Sequence, residues 1–547
     1  RMLQLHGVKH IFGLCGDTSL PFYDALARLD HGMQHILTRD ERSAAYMADG
    51  YARVSRRVGV CEGPSGGGAT YLLPGIVEAN ESSIAVLGIT TDIATTSRGR
   101  YALTELDQEA LYRPLTKRSE VIDRADKLPE AVRRAFRAMT AGRPGAAHLG
   151  LPFDVQNGPV DEAGVWADAE LGAYPSRRAG PDAGAIRQAA IALASARLPM
   201  FVCGGGVVIA NAEAELAALA TLLGAPVATT VSGQGSLAED HPLCLGVVGS
   251  NGGTPPTRDA LAQADLVVFV GCRAGSVTTE RWRYPLPGTP VIHIDADPMV
   301  IGANYRTEVA IAADAKLALQ GLLDELKVVR PKDGSALVQA AKERKFSEFR
   351  ALAQRNDMPI LPERIVAALH DLLPRDATVV CAPGTPCPYF SAYYEFLEAG
   401  RHFLSNRAHG ALGYAMAAGV GAHFGRPGTK TVSVMGDGSF GFTVGELETI
   451  VRLRVPLMMV VISNATYGWI KAGQKTGFKQ RYFSVDFSRT DHARVAEAFG
   501  VKAWRVERPE QLKPALAAAA EHGGPALVDI LTQPLHEARA PVSEWVA

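Results

Sequence analysis

Short, mostly apolar runs alternate with longer amphipathic stretches along the whole chain. The apolar runs cluster in three groups: residues 10–14, 58–62, 84–89 and 146–149; then 200–203, 226–230, 266–270 and 291–294; then 378–381, 431–435, 457–463 and 526–530. Runs of four to seven apolar residues are too short for buried helices and predict strands covered on both faces. Between or beside them, residues 185–194, 212–222 and 444–454 carry helical patterns. Strand and helix in alternation predict parallel sheets, so the fold class is α/β with three doubly wound blocks. The blocks are placed at residues 1–160, 182–328 and 357–547. A polar stretch with Gly and Pro, residues 156–182, reads as a linker, and residues 332–355 as a charged helical connection.

At 547 residues the chain exceeds a single core. A hydrophobic content of 47%, a charged content of 21% and a net charge of −1 describe an ordinary globular enzyme. They argue against nucleic acid or an acidic membrane as partner and leave a small-molecule substrate. No apolar run reaches the roughly 18 residues of a membrane span. The seven cysteines stand singly with no Cys-x-x-Cys pair, which predicts reduced thiols rather than a disulfide framework or a zinc site. A cytoplasmic location follows as the expectation. The first residues read as an amphipathic helix entering a strand, not as a signal peptide, and the absence of Met at position 1 suggests an N-terminus further upstream.

The densest chemistry lies in the third block. The run 431–435 leads into a turn at Gly436-Asp437-Gly438, and the run 457–463 delivers Asn464. A right-handed crossover puts Asp437 and Asn464 at equivalent ends of two parallel strands, the edge where open sheets bind ligands. One carboxylate and one amide oxygen make half of an oxygen shell for Mg²⁺, with phosphate oxygens and water to complete it. Gly436 and Gly438 let a diphosphate approach the backbone, and Ser439 adds a hydroxyl. Gly384-Thr385, in a turn after residues 378–381, reads as a phosphate contact or as an ordinary turn. Gly436, Gly438 and Gly441 also spell a dinucleotide fingerprint, so a nicotinamide-dependent oxidoreductase is the alternative. That reading wants an acid at the end of the second strand, where Asn464 stands, and an acid between the first two glycines repels a pyrophosphate unless a cation intervenes.

Gly-Asp-Gly-Ser followed by this Asn resembles the diphosphate motif of thiamine diphosphate (ThDP) enzymes. The segment 39–53 (RDERSAAYMADGYAR) is similar to the one carrying their cofactor-activating glutamate. GPSGGGAT at 63–70 is similar to their GPGATN loop, and Gly410-Ala411-Leu412-Gly413 to the segment that bends the cofactor. The resemblance covers nearly the whole chain, in the order of the acetolactate synthase, pyruvate decarboxylase and benzoylformate decarboxylase superfamily. It implies ThDP and Mg²⁺ as cofactors and a Pyr, central and PP order of domains. Asp437, Asn464 and the Thr466 carbonyl would hold the metal, and Tyr467 and Gly468 would join the cofactor-binding residues. The Gly410 carbonyl would accept from the aminopyrimidine, Leu412 would wedge under the bent cofactor, and Glu41 would share a proton with the pyrimidine. Glu41 and Asp437 would meet across a subunit interface, making a homodimer the minimum unit and a homotetramer common.

The reaction is less determined by these residues. Asp17, after the first strand, resembles the proton-handling Asp of pyruvate decarboxylases or caps the helix that follows. His409 is a second acid–base candidate. Yet residues 95–117 lack the paired histidines of those decarboxylases, and Ile470 stands where they carry a glutamate. Ile470, Trp469 and Phe442 suggest an apolar pocket. Thr104-Glu105 departs from the Gln-Glu of many acetolactate synthases. The expectation is an acetolactate synthase-like carboligase or a 2-oxo acid decarboxylase, with an acyloin or 2-hydroxyacyl-CoA lyase as the alternative within the family. Gly204-Gly205-Gly206, Arg273 and Asp295-Ala296-Asp297 lie where relatives bind FAD or an adenine nucleotide in the central domain.

Overall fold

The computed structural model describes residues 1–327 and 332–545. The expected block end at residue 328 and the last two residues of the chain lie outside the described residues. Three six-stranded sheets are present, each parallel throughout its named pairings. The first contains β1 (His10–Gly13), β2 (Gln34–Leu37), β3 (Gly59–Gly63), β4 (Val86–Asp92), β5 (Arg118–Val121) and β6 (Ala147–Pro152). The second contains β7 (Pro199–Cys203), β8 (Val227–Thr229), β9 (Cys244–Val247), β10 (Leu266–Val270), β11 (Val291–Asp295) and β12 (Val309–Ala312). The third contains β13 (Thr378–Cys381), β14 (Phe403–Ser405), β15 (Thr431–Gly436), β16 (Met458–Ser463), β17 (Lys502–Val506) and β18 (Ala526–Leu531).

The order is β2-β1-β3-β4-β6-β5 in the first sheet and β14-β13-β15-β16-β18-β17 in the third. Counted from each sheet's own first strand, these are one topology, with its switch point between the first and third strands. The second sheet, β12-β11-β10-β7-β8-β9, follows the 3-2-1-4-5-6 order of dinucleotide-binding folds. Interior strands such as β3, β4, β7, β10 and β16 are buried at every residue. Branched and aromatic side chains on both of their faces explain the unbroken apolar runs.

Three segments differ from expectation. The Gly-Asp-Gly turn is a direct strand-to-helix junction: β15 runs through Gly436, and the helix Asp437–Thr443 begins at the next residue. The helix expected at 444–454 is Glu446–Arg452. Residues 156–182 do not form a free linker, because Leu171 and Tyr174 are buried and Tyr174 donates its hydroxyl proton to the Ala52 carbonyl.

The residues fall into two compact units, one of 1–177 with 406–429 and 442–455, the other of the remaining residues. In the first unit the helices Glu41–Ser55 and Tyr414–Gly425 cross in backbone contact. A Cβ on Gly50 would overlap the Ala418 backbone, and one on Gly421 would overlap Met47. No described helix is long and apolar enough to cross a membrane. All seven cysteines are free, six of them buried.

Candidate cofactor and metal site

β15 and β16 are neighbours in register, Gly436 opposite Ile462, so Asp437 and Asn464 leave the sheet side by side at its carboxyl edge. Asp437 is buried, and its carboxylate turns to the β16 loop. Oδ2 accepts from the backbone N–H of Asn464 at 2.8 Å and of Ala465 at 2.6 Å, while Oδ1 accepts from Gly438 at 2.9 Å. Burial pushes this carboxyl up, and the three N–H donors pull it back. Both Oδ1 and Nδ2 of Asn464 are buried without a hydrogen-bond partner. A buried amide left unpaired is costly, and an oxygen ligand to a cation beside Asp437 accounts for it. The donor set suits Mg²⁺: one carboxylate, one amide and nearby carbonyls, with no cluster of three His, Cys, Asp or Glu side chains among the described residues.

The two glycines divide the work. A Cβ on Gly436 would meet nothing within 4 Å, whereas one on Gly438 would stand 2.8 Å from the Tyr467 ring. Gly436 therefore leaves open space at the strand end, and Gly438 makes room for Tyr467, itself 39% exposed. Ser439 is buried in the first turn of the helix. Thr466 is buried and donates its hydroxyl proton to the Val485 carbonyl. Gly384 and Thr385 follow β13 at the switch point, and Thr385 Oγ1 lies 3.3 Å from where a Cβ on Gly468 would be. Thr385, Gly468, Tyr467, Gly438, Asp437 and Asn464 thus share one edge of the third sheet.

Behind Asp437 lies a network that the motif reading missed. Asp529, fully buried on β18, accepts from Ser463 Oγ, from the His492 backbone N–H at 2.9 Å and from Arg505. Burial works to raise Asp529, but these partners hold it below the usual carboxylate range. A small cavity is lined by Asp437, Asn464, His492, Arg489 and Arg505. The signal in the sequence was a lone acid inside an apolar strand, ALVDIL.

In the first unit, Glu41 opens its helix behind the N-cap Asp40, whose carboxylate accepts from the Arg42 N–H. Glu41 is 6% exposed, and burial raises its carboxyl. Gly63 and Gly68 leave it room, since a Cβ on Gly68 would stand 3.0 Å from Glu41 Oε1. Asp17 is exposed and accepts from the Thr18 N–H. It does not cap the following turn, because Gly16 is the N-cap and Ser19 Oγ accepts the Gly16 N–H. His409 and Gly410 are exposed and Leu412 is half-buried. Gly410 has φ 74°, and no atom lies within 4 Å of its missing Cβ. Ile470 and Phe442 are exposed, 55% and 42%, each within its own unit, so neither closes an apolar pocket there.

In the second sheet, packing accounts for the glycines read as a nucleotide loop. A Cβ on Gly204 would stand 2.8 Å from Cys272 Cα and one on Gly206 2.6 Å from Gly271 Cα.

Three family models match the chain in order: the thiamine pyrophosphate enzyme N-terminal TPP binding domain over residues 1–111, the central domain over 186–322 and the C-terminal TPP binding domain over 383–530. A probable acetolactate synthase large subunit of Methanocaldococcus jannaschii is 36% identical over 98% of this chain and 91% of its own length. An acetolactate synthase of Arthrospira platensis is 31% identical over 96% of this chain and 92% of its own length. An acetolactate synthase large subunit of Corynebacterium glutamicum is 32% identical over 97% and 85%. The nicotinamide alternative finds no support in these matches. With the paired Asp437 and Asn464 and the three matched domains, the chain belongs to the thiamine pyrophosphate-dependent enzymes.

Proposed function

We propose that this chain is an acetolactate synthase-like carboligase, which uses ThDP and Mg²⁺ to decarboxylate a 2-oxo acid and join the remaining carbons to a second carbonyl compound. The observation that carries the reading is Asp437 beside the unpartnered buried amide of Asn464. Likeness to acetolactate synthases over 98% of the chain supports it. When bound, ThDP supplies the electron sink for breaking and forming the C–C bond. The side chains of Asp437 and Asn464 and the Thr466 carbonyl hold the metal. Gly384, Thr385, Gly436, Gly438, Ser439, Tyr467 and Gly468 form the floor for the diphosphate. Gly410 and Leu412 orient the organic part. Glu41, its carboxyl raised by burial, is the group to share a proton with a ring nitrogen.

Asp17 and His409 are the acid–base candidates on the substrate side. An exposed carboxylate after β1 also favours a second reading, in which Asp17 delivers a proton and the product is an aldehyde. The active unit is a homodimer or larger, with Glu41 of one subunit serving the metal site of its partner, in the cytoplasm. The proposed domains are 1–160, 182–328 and 357–547. A flavin in the central domain is tested by the visible absorption of the purified protein.

The functional test is turnover of a 2-oxo acid panel with ThDP and Mg²⁺, following CO₂ and ligated products. A ligated product that disappears in Glu41→Gln and Asp437→Ala supports the carboligase. Aldehyde alone favours the decarboxylase, and no turnover of any 2-oxo acid by a protein that binds ThDP refutes both.

A further inference from the structure

Two and three turns beyond Glu41 the same helix carries Asp49 and Arg53, both buried in its crossing with the helix Tyr414–Gly425. Arg53 Nε donates to Asp49 Oδ2 at 2.7 Å and its Nη2 to Glu78 Oε1 at 3.0 Å. Glu78, on the helix Leu73–Glu81, is fully buried. Its Oε2 accepts the backbone N–H of His409 at 2.7 Å, across 331 residues of sequence, and its Oε1 lies 3.4 Å from the N–H of Ala408. Asp49 Oδ2 accepts the hydroxyl proton of Tyr414 at 2.6 Å. Burial works against the Arg53 charge, but Asp49, Tyr414 and Glu78 outweigh it.

One ion network therefore holds both ends of a short loop. Residues 408–410 between these anchors are exposed and 411–412 half-buried, and Gly410 and Gly413 take positive φ of 74° and 92°. Exposed over 408–410, the loop is tied down by hydrogen bonds. Two lie outside the ion network, Asn406 Nδ2 to the Ala411 carbonyl at 2.6 Å and Thr443 Oγ1 to the Gly413 carbonyl at 3.2 Å. Glu78 and Asp49 add the ties to the first block. An unbalanced buried cluster, two carboxylates to one guanidinium with Asp49 Oδ1 lacking a partner, is a costly way merely to pack helices.

We propose that Asp49, Arg53 and Glu78 are positioning residues that clamp the loop at Ala408–His409 and at Tyr414, setting the Gly410 carbonyl and Leu412 for the aminopyrimidine of the cofactor. The proposal rests on the reading that Gly410 and Leu412 face ThDP. It gives the Asp49-Gly50-Tyr51-Ala52-Arg53 part of the motif helix a task separate from that of Glu41.

The test uses the full chain and four variants: Glu78→Gln, Tyr414→Phe, Ser82→Ala and Leu412→Ala. Ser82, the C-cap of the Glu78 helix, also donates to Glu78, at 2.6 Å. Two quantities are read: amide hydrogen exchange of residues 406–414 without cofactor, and the calorimetric Kd for ThDP with Mg²⁺. Glu78→Gln is expected to speed exchange in the loop while β1 and β3 stay protected, and to weaken ThDP by about tenfold or more. Tyr414→Phe shifts both in the same direction and carries the test if Glu78→Gln does not fold. Ser82→Ala stays near wild type, and an equal effect there would mean general loosening and overturn the clamp. Wild-type loop exchange or wild-type Kd in the folded clamp variants, with ThDP weakened in Leu412→Ala, also overturns it. Unchanged ThDP affinity in Leu412→Ala instead removes the loop from the cofactor site, and the proposal falls with that reading.

Discussion

Asp437 and Glu41 are both buried acids whose carboxyls burial raises, and they differ in the hydrogen bonds that oppose it. Burial raises the Asp437 carboxyl, and three backbone N–H groups pull it back toward the anion that the proposed metal site needs. Glu41 has burial as its leading influence and keeps its proton to higher pH. Glu41→Gln is expected to lower turnover by about 10²- to 10⁴-fold. Its effect on folding runs the other way. The wild-type carboxyl is raised in the folded state, so wild-type stability falls as pH climbs from the unfolded to the folded pKa. The Gln variant escapes that loss, and denaturant melts at neutral pH should show it at least as stable as wild type, the gap closing in acid.

Glu363 gives a stability test remote from the proposed chemistry. It is 2% exposed, and burial pushes its carboxyl from 4.5 up to about 7. Glu363→Gln should stabilise the chain increasingly from the unfolded pKa up to pH 7, reaching about 3 kcal/mol above it. A pH-independent difference in denaturation midpoint would refute the assignment. Asp437 and Asn464 were legible because they end apolar runs. Glu78, Asp49 and Asp529 were not read as partners, because each finds its role with residues far away in sequence.

At the scale of elements, every strand expected from an apolar run is an interior strand of its sheet. The six edge strands, β2, β5, β9, β12, β14 and β17, were not among them. Interior strands are covered on both faces and read as unbroken apolar runs. β12 alternates buried and exposed residues and β5 is half-buried throughout, while β9 and β14 are only four and three residues long. A short or half-wet strand carries too few apolar positions to stand out from a loop. The helix crossing in the first unit was likewise invisible, since Gly50 and Gly421 look like helix-weakening residues until the partner backbone is in place. Gly421→Ala is expected to destabilise by about 1–3 kcal/mol through overpacking, although alanine is the better helix former. A gain in denaturation midpoint would show that the two helices can move apart freely.

For the whole molecule, the proposed sharing of sites between subunits makes a quantitative prediction. Glu41→Gln and Asp437→Ala are each expected to be nearly inactive. In a hybrid of the two, one site keeps both groups and the other loses both. Random mixing of subunits with C₂ symmetry should restore activity to about a quarter of wild type. No recovery in a mixture shown to contain hybrids would mean that each chain completes its own site. Cofactor linkage offers a second test: ThDP with Mg²⁺ should raise the melting temperature, and chelation should remove the gain.

Local order was readable from residues adjacent in the chain. Apolar runs specify buried strands, their alternation with helices specifies parallel sheets, and the contiguous Gly436-Asp437-Gly438 places an acid at a strand end. By itself the sequence therefore determined the α/β class, three blocks and the diphosphate motif. Tertiary structure alone decided the strand orders, including the topology common to the first and third sheets. It also joined residues 406–429 and 442–455 to the first block and brought Glu78 to the N–H of His409. These depend on pairings between distant segments, which local hydrophobic periodicity does not encode.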